Sequence, residues 1–330
     1  MKRTPTVAII GAGIAGLSCA RQLQQAGIKV TLFDKSRGPS GRMSTRRGEG
    51  WQCDHGAQYF TARDPAFRAE VARWQAAGVA APWQPRLAVF GDEDEHQPDA
   101  GLERFVGAPR MTAPARLLAD RLDVRLQATV RALIPEGGRW RLEIRESGLT
   151  PACYDAVLLA VPAPQAVPLL QAFSGELAAL PAQAVMRGSW ALMLRYAQRP
   201  ALDFDAAFVN RGPLRWIARD SSKPGRAGEE TWLLHATAEW SEAHIEDDAE
   251  TVAAALLAAF ANLGAPPPVA WTAHRWRYAD SAPALTHECV WDSALRIGLC
   301  GDWLNGGKVE GAWLGGRELG QRVAATFEAS

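Results

Sequence analysis

An apolar run, Val7-Ala8-Ile9-Ile10, leads straight into Gly11-Ala12-Gly13-Ile14-Ala15-Gly16, and a second run, Val30-Thr31-Leu32-Phe33, ends on Asp34. Few arrangements satisfy that spacing. Residues 6–10 are predicted as a buried parallel strand, 14–26 as the helix after it and 29–33 as a second strand, the β-α-β opening of a doubly wound fold. Gly11 permits the tight turn, Gly13 lets backbone approach a pyrophosphate, and Gly16 lets helix pack on strand. The helix N-terminus offers free N–H groups and partial positive charge to phosphates. Asp34 lies at the distance from which a carboxylate accepts hydrogen bonds from an adenosine ribose. The unit predicts a dinucleotide without distinguishing FAD from NAD.

The adjoining segment narrows the choice. Asp34-Lys35-Ser36-Arg37-Gly38-Pro39-Ser40-Gly41-Arg42-Met43 holds a second Gly-Arg loop, whose Arg42 guanidinium can pair with phosphate oxygens. Arg46 and Arg47 read as ordinary solvated charge. Near the other end, Ile297-Gly298-Leu299-Cys300 leads into Gly301-Asp302, and Gly311-Ala312-Trp313 opens a helical pattern. Asp302, directly after a buried strand, is placed to reach a ribityl chain or pyrophosphate. A helix start near Gly311 would aim N–H groups at a flavin's N1–C2=O edge, where negative charge builds on reduction. The alternative for Gly311 is a glycine that only permits close packing.

Lys+Arg and Asp+Glu are equal at 36 each, so net charge supports neither a nucleic-acid nor an acidic-membrane partner. Cys19, Cys53, Cys153, Cys289 and Cys300 are scattered without CxxC spacing, which predicts no disulfide framework and no metal site. The glycine motif comes too early for a signal peptide and no apolar run is long enough to span a bilayer, so the expectation is cytoplasmic.

Along the chain, Arg131–Ile134 and Trp140–Ile144 flank Glu136-Gly137-Gly138 as a hairpin. Residues 155–161 are predicted as a strand, 165–172 as helix, 231–237 as strand, and 249–263 as a helix capped at Asp247-Asp248. Residues 295–300 return as a final strand, followed by a helix over about 311–326. Length fits two joined domains. The expected division is a discontinuous FAD-binding domain of 1–75, 110–165 and 291–330, with a substrate domain inserted as 76–109 and 166–290. Thirteen Trp, most after residue 180, suit either a large apolar pocket or an aromatic core.

With these residues in view the chain resembles the flavin amine oxidase superfamily, and within it the bacterial renalase-like proteins. The resemblance rests on residues 34–43, Asp54-His55-Gly56-Ala57-Gln58-Tyr59-Phe60-Thr61, Trp216-Ile217-Ala218-Arg219 and Ser222-Lys223-Pro224-Gly225-Arg226. It continues through Trp232–Thr237, His274-Arg275-Trp276-Arg277-Tyr278, Cys300–Trp303 and Val309–Trp313. Where the family reads Gly-Gly-Arg this chain has Ser40-Gly41-Arg42, which serine suits if its backbone angles are ordinary. Arg110 stands where such proteins carry Gly before Met.

The resemblance implies an α/β fold with a Rossmann-type FAD-binding domain and an inserted α+β substrate domain, like monoamine oxidase and hydroxybenzoate hydroxylase. It implies noncovalent FAD and oxidation of 2- and 6-dihydro isomers of NAD(P). Hydride would pass to flavin N5 and electrons to O2, giving NAD(P)+ and hydrogen peroxide, with no catalytic base required. The expected cofactor set is Gly11, Gly13, Ala15, Gly16, Asp34, Lys35, Arg42, Gly56, Ala57, Gln58, Tyr59, Val130, Asp302, Gly311 and Ala312. The expected substrate pocket is Tyr59, His235, Trp276 and Arg277. Gln58 and Tyr59 read alternatively as a packed polar loop, His235 as a satisfied core histidine, and Trp276–Tyr278 as a strand edge with ordinary aromatic packing. Amine oxidases of the superfamily hold a Lys at N5 through water. Only Lys223 lies between residues 36 and 307, and its context reads as an exposed turn, which argues against amine oxidation. An amine oxidase or desaturase-type flavoprotein is the alternative enzyme, and a protein in which FAD is structural is the alternative outside catalysis. The sequence leaves oligomeric state open.

Overall fold

A computed structural model describes residues 3–91, 99 and 101–328. Part of the expected 76–109 insertion, residues 92–98 and 100, falls outside the described residues. The N-terminal unit forms as predicted: strand Thr6–Ile10, helix Ile14–Gln25 and strand Lys29–Asp34. These join a six-stranded sheet ordered Val290–Asp292, Ile297–Leu299, Ala156–Leu159, Thr6–Ile10, Lys29–Asp34 and Asp123–Leu126. Only the outermost strand, Val290–Asp292, runs antiparallel to its neighbour.

Both faces of this sheet are covered, which is why its strands read as unbroken apolar runs rather than alternating ones. Val7 and Ile9 pack with helices Ile14–Gln25 and Val309–Glu328, whereas Ala8 and Ile10 pack beneath the hairpin of Val130–Glu136 and Arg139–Ile144. The two helices touch closely because glycines line their contact. A Cβ at Gly316 would lie 2.0 Å from the Ala15 carbonyl oxygen. Ser18 Oγ also donates to the Trp313 carbonyl at 2.8 Å. The C-terminal helix begins at Val309, two residues before the expected start.

A second six-stranded sheet is ordered Ala270–Ser281, Met186–Tyr196, Glu230–Ala236, Leu214–Arg219, Ala206–Arg211 and Leu87–Gly91. Neighbours are antiparallel except the last pair. One face is sealed by helix Ala249–Ala261, whose Val252, Leu256 and Phe260 pack against Leu192, Leu194, Ile217 and Leu234. Asp248 caps that helix, its Oδ1 accepting from Thr251 N–H at 2.7 Å, as the sequence predicts. On the opposite face one register row crosses the sheet: Phe208 faces Trp216, Trp216 faces His235, and Ala191 faces both His235 and His274. The Rossmann-type sheet with its added α+β layer is the expected fold class. Among the described residues, no helix is long and apolar enough to cross a membrane.

Candidate functional site

A cavity of about 1880 Å³ is walled by the glycine turn and Asp34 of the first sheet, the 40–48 and 55–63 segments, and the open face of the second sheet. That is roughly twice the ~1,000 Å³ upper range for one drug-sized ligand. Both ends of the chain reach it, because Gly301, Asp302 and residues 306–310 and 312 stand beside the N-terminal turn.

Helix Ile14–Gln25 begins with Gly13 in extended backbone (φ −77°, ψ −179°). A Cβ there would meet no protein atom nearer than Gly41 Cα at 4.0 Å, so the helix N-terminus is open to an approaching group. Gly11 and Gly16 differ. Their Cβ atoms would fall 2.4 Å from the Ala160 carbonyl oxygen and 2.0 Å from that of Gly11. Asp34 ties the turn together, accepting Ala12 N–H at 2.7 Å and Ser36 N–H at 2.8 Å. Each carboxylate oxygen retains a lone pair for a hydroxyl donor. Exposed turn backbone, open helix terminus and acidic residue together fit a dinucleotide.

Of the expected cofactor residues, Gly11, Gly13, Ala15, Asp34, Lys35, Arg42, Gly56, Ala57, Gln58, Tyr59, Val130, Asp302 and Ala312 line the cavity. Gly16 and Gly311 do not. A Cβ at Gly311 would fall 1.6 Å from the Asn305 carbonyl oxygen, so this glycine admits the preceding turn against the helix, the packing alternative, while Val309, Glu310 and Ala312 of the same helix start line the cavity. Arg42 is already engaged: it pairs with Asp302 across the site and donates to the Ala279 carbonyl at 3.1 Å.

All four expected substrate residues, Tyr59, His235, Trp276 and Arg277, border the same cavity. Arg277 sits at its rim, where both guanidinium arms are held by Glu246 at 2.6 and 3.1 Å, so its charge is already paired. Tyr59 packs near the rings of Trp216 and Trp83, with the Arg104 guanidinium 5.4 Å from its ring centre. Trp276 Nε1 and His235 Nε2 converge on one acceptor, the His55 carbonyl, at 2.8 and 3.1 Å. A carbonyl only accepts, so His235 carries its proton on Nε2 and leaves Nδ1 as a bare acceptor.

Sequence reasoning missed His55 and His274. The His55 ring stacks on Trp276 with centroids 5.2 Å apart and meets His274 edge-on at 4.7 Å. Burial, the His274 ring and Arg46 push His55 down to about 3. Burial lowers His235 to about 4, and burial with Arg46 does the same for His274. The three imidazoles are therefore neutral at physiological pH. Arg46 and Arg47, read as solvated, both belong to the cavity wall, and Arg46 Nη2 lies 3.5 Å from His274 Nδ1.

Two further expectations are overturned. Ser40 adopts φ +129°, a left-handed value that favours glycine, because its amide is drawn onto the Ala12 carbonyl at 3.0 Å. Lys223 is no exposed turn: it is 2% exposed and lies outside the cavity wall. Its ammonium contacts Asp220 at 2.7 Å and Asp54 at 3.2 Å. The turn signal was real, but buried carboxylates draw this turn inward. A Pro-Gly pair marks local shape and carries no information on exposure.

The profile of the NAD(P)-binding Rossmann-like domain matches residues 9–74, and that of the flavin containing amine oxidoreductases matches residues 62–324. Hydroxyneurosporene desaturase of Rubrivivax gelatinosus is 36% identical over 142 residues, 37% of this chain and 26% of the desaturase. The tRNA 5-methylaminomethyl-2-thiouridine biosynthesis bifunctional protein of Magnetococcus marinus is 31% identical over 226 residues, 54% of this chain and 33% of that protein. The chain thus spans about a quarter to a third of the length of these curated relatives. Cyclohexylamine oxidase of Brevibacterium oxydans shares the fold with a TM-score of 0.74 at 13% identity, over 99% of this chain and 100% of the oxidase.

Proposed function

The chain belongs to the flavin containing amine oxidoreductase family, whose cofactor is FAD, and from that premise we propose an oxidase of isomeric dihydronicotinamide nucleotides, the 2- and 6-dihydro forms of NAD(P). The observation that carries this reading is the row of neutral histidines on the second sheet; Lys223 stands behind the cavity wall, and the lysines that do line it, Lys35 and Lys308, lie on the adenosine-side loop and the turn before the C-terminal helix. A dihydropyridine that loses hydride becomes an aromatic cation directly, so no side chain has to take a proton. When bound, FAD supplies the hydride acceptor at N5 and a route for the electrons to O2, yielding hydrogen peroxide.

The chain's own residues do the rest by binding and shaping. Gly11, Gly13 and the Ile14 helix terminus face the pyrophosphate, Asp34 accepts the ribose hydroxyls, and Lys35 and Val130 flank the adenosine end. Arg42 and Asp302 hold each other beside the phosphates, while Gly56, Ala57, Gln58, Tyr59 and Ala312 border the flavin. Gly16 and Gly311 serve that cradle by packing alone. His235 Nδ1 accepts from a substrate amide N–H, Trp276 and Tyr59 cover the ring, and the arginine-bearing rim takes substrate phosphates. The proposed domains are 1–75, 110–165 and 291–330 for FAD, and 76–109 and 166–290 for substrate.

Anaerobic mixing of the FAD-loaded protein with 6-dihydroNAD, with NADH and a primary amine as controls, tests the reading. Rapid bleaching of flavin absorbance by the isomer alone is expected. Bleaching by the amine alone would replace the reading with amine oxidation, the chemistry named for cyclohexylamine oxidase.

A further inference from the structure

Behind the cavity wall four charged side chains meet with no access to water. Asp54 and Asp220 side chains are 0% exposed, Lys223 is 0% and Arg226 is 2%. Asp54 ends strand Trp51–Asp54, while the other three lie on the 220–226 turn, some 170 residues away. Lys223 touches both carboxylates, Arg226 pairs with Asp54, and Arg226 Nε lies 3.7 Å from Asp220. Two more segments are tied in. Asp54 Oδ1 accepts Thr45 Oγ1–H at 2.6 Å and Met111 N–H at 3.2 Å, and Arg226 Nη1 donates to the Gly107 carbonyl at 2.7 Å. Burial favours protonation of Asp54, but the Lys223 and Arg226 charges and the Thr45 hydroxyl outweigh it and hold the carboxyl low. Burial and the Asp54 charge push Asp220 up.

Two of the cluster's partners, Thr45 and Gln58, line the cavity, and Gln58 is the one that Lys223 holds directly. Lys223 Nζ donates to Gln58 Oε1 at 3.2 Å, and Gln58 Nε2 donates to the Asp54 and Gly56 carbonyls at 2.8 and 3.0 Å. Both N–H donors of the Gln58 amide are thereby used and its oxygen accepts from Lys223, which leaves the amide one orientation that meets all three partners. The His55 carbonyl, on which Trp276 and His235 converge, lies in the same short segment. Burying such a cluster is costly, and apolar replacements are often as stable, so its physical yield is a defined geometry rather than stability.

We propose that Lys223 is a positioning residue: through Gln58 and Asp54 it fixes the His55–Tyr59 segment, and so the wall against which flavin and substrate sit. The proposal rests on the location of the flavin site and not on the identity of its substrate. The test uses full-length Lys223→Met/Asp220→Asn, which removes one charge of each sign and keeps the cluster neutral. Amide hydrogen exchange in the apo protein and the visible spectrum of the FAD-loaded protein are read, neither of which depends on the substrate. Exchange at the 56–60 amides is expected to quicken at least tenfold, with a shifted flavin band and ordinary exchange in the Ile14–Gln25 helix. Lys223→Arg is expected to restore part of the protection. If the double variant does not fold, Gln58→Met breaks the relay alone and is expected to loosen the same amides. Wild-type exchange at 56–60 with an unshifted flavin band, in either variant, would overturn the proposal.

Discussion

Gly13→Val separates what the glycine turn does for the fold from what it does for the cofactor. Gly13 has φ −77° and ψ −179°, angles any residue adopts, and a Cβ there would approach only Gly41 Cα, at 4.0 Å. Losing a glycine from the unfolded chain stabilises by about 0.4–1 kcal/mol. Valine is a poor helix cap and returns a similar ~0.5–1 kcal/mol, so the apo protein should melt within a few degrees of wild type. The isopropyl group, however, fills the approach to the helix N-terminus. Losing two charge-assisted N–H bonds to phosphate, at about 1.5–3 kcal/mol each, removes about 3–6 kcal/mol of FAD binding. At ~1.4 kcal/mol per factor of ten that is a 10²- to 10⁴-fold weaker Kd. Titration of apo protein with FAD, followed by flavin fluorescence, measures it alongside thermal unfolding. Gly16→Val is the contrast, since its Cβ would lie 2.0 Å from the Gly11 carbonyl oxygen and should abolish folding itself. An apo-stable Gly13→Val protein that binds FAD within threefold of wild type would refute the assignment.

Ser40→Gly should stabilise the chain, because relieving a residue at φ +129° returns about 1–3 kcal/mol against the ~0.5–1 kcal/mol that glycine costs; an unchanged or lower Tm would show that Ser40 is unstrained. The histidine wall makes stability pH-dependent. Unfolded histidines take up protons as pH falls through 6.5, whereas folded His235 and His274 wait until about 4 and His55 until about 3. The unfolded state therefore binds more protons in that window and stability falls with pH, by up to about 3 kcal/mol for His235 alone. Asp220, raised in the fold, acts in the opposite direction as a single group, so Tm measured from pH 7 to 5 should still drop, and less steeply in His235→Asn. Arg277→Ala should raise KM for a phosphate-bearing substrate about three- to tenfold with kcat little changed, since Glu246 already neutralises the guanidinium; an unaltered KM would remove Arg277 from the rim's function.

The legible parts were those whose signals are local. Val7–Gly16 with Asp34 fixes a strand, a turn and a helix within one stretch of chain, and Leu299–Trp313 does the same at the other end, so dinucleotide binding and the turns after both strands could be read from spacing alone. The hairpin at 137–138 and the Asp248 cap are equally local. Strand Met186–Tyr196 escaped because its Trp190–Leu194 run is buried throughout and shows no alternation. Burial of Lys223 and the row joining Trp216, His235 and His274 depend on segments far apart in sequence. So do the Arg42–Asp302 pair, 260 residues apart, and the crowding at Gly311. A residue type carries its own hydrogen-bonding capacity and backbone preference along the chain, but a partner brought from elsewhere decides whether a charge is solvated, whether a glycine faces ligand or backbone, and which nitrogen of a histidine keeps its proton.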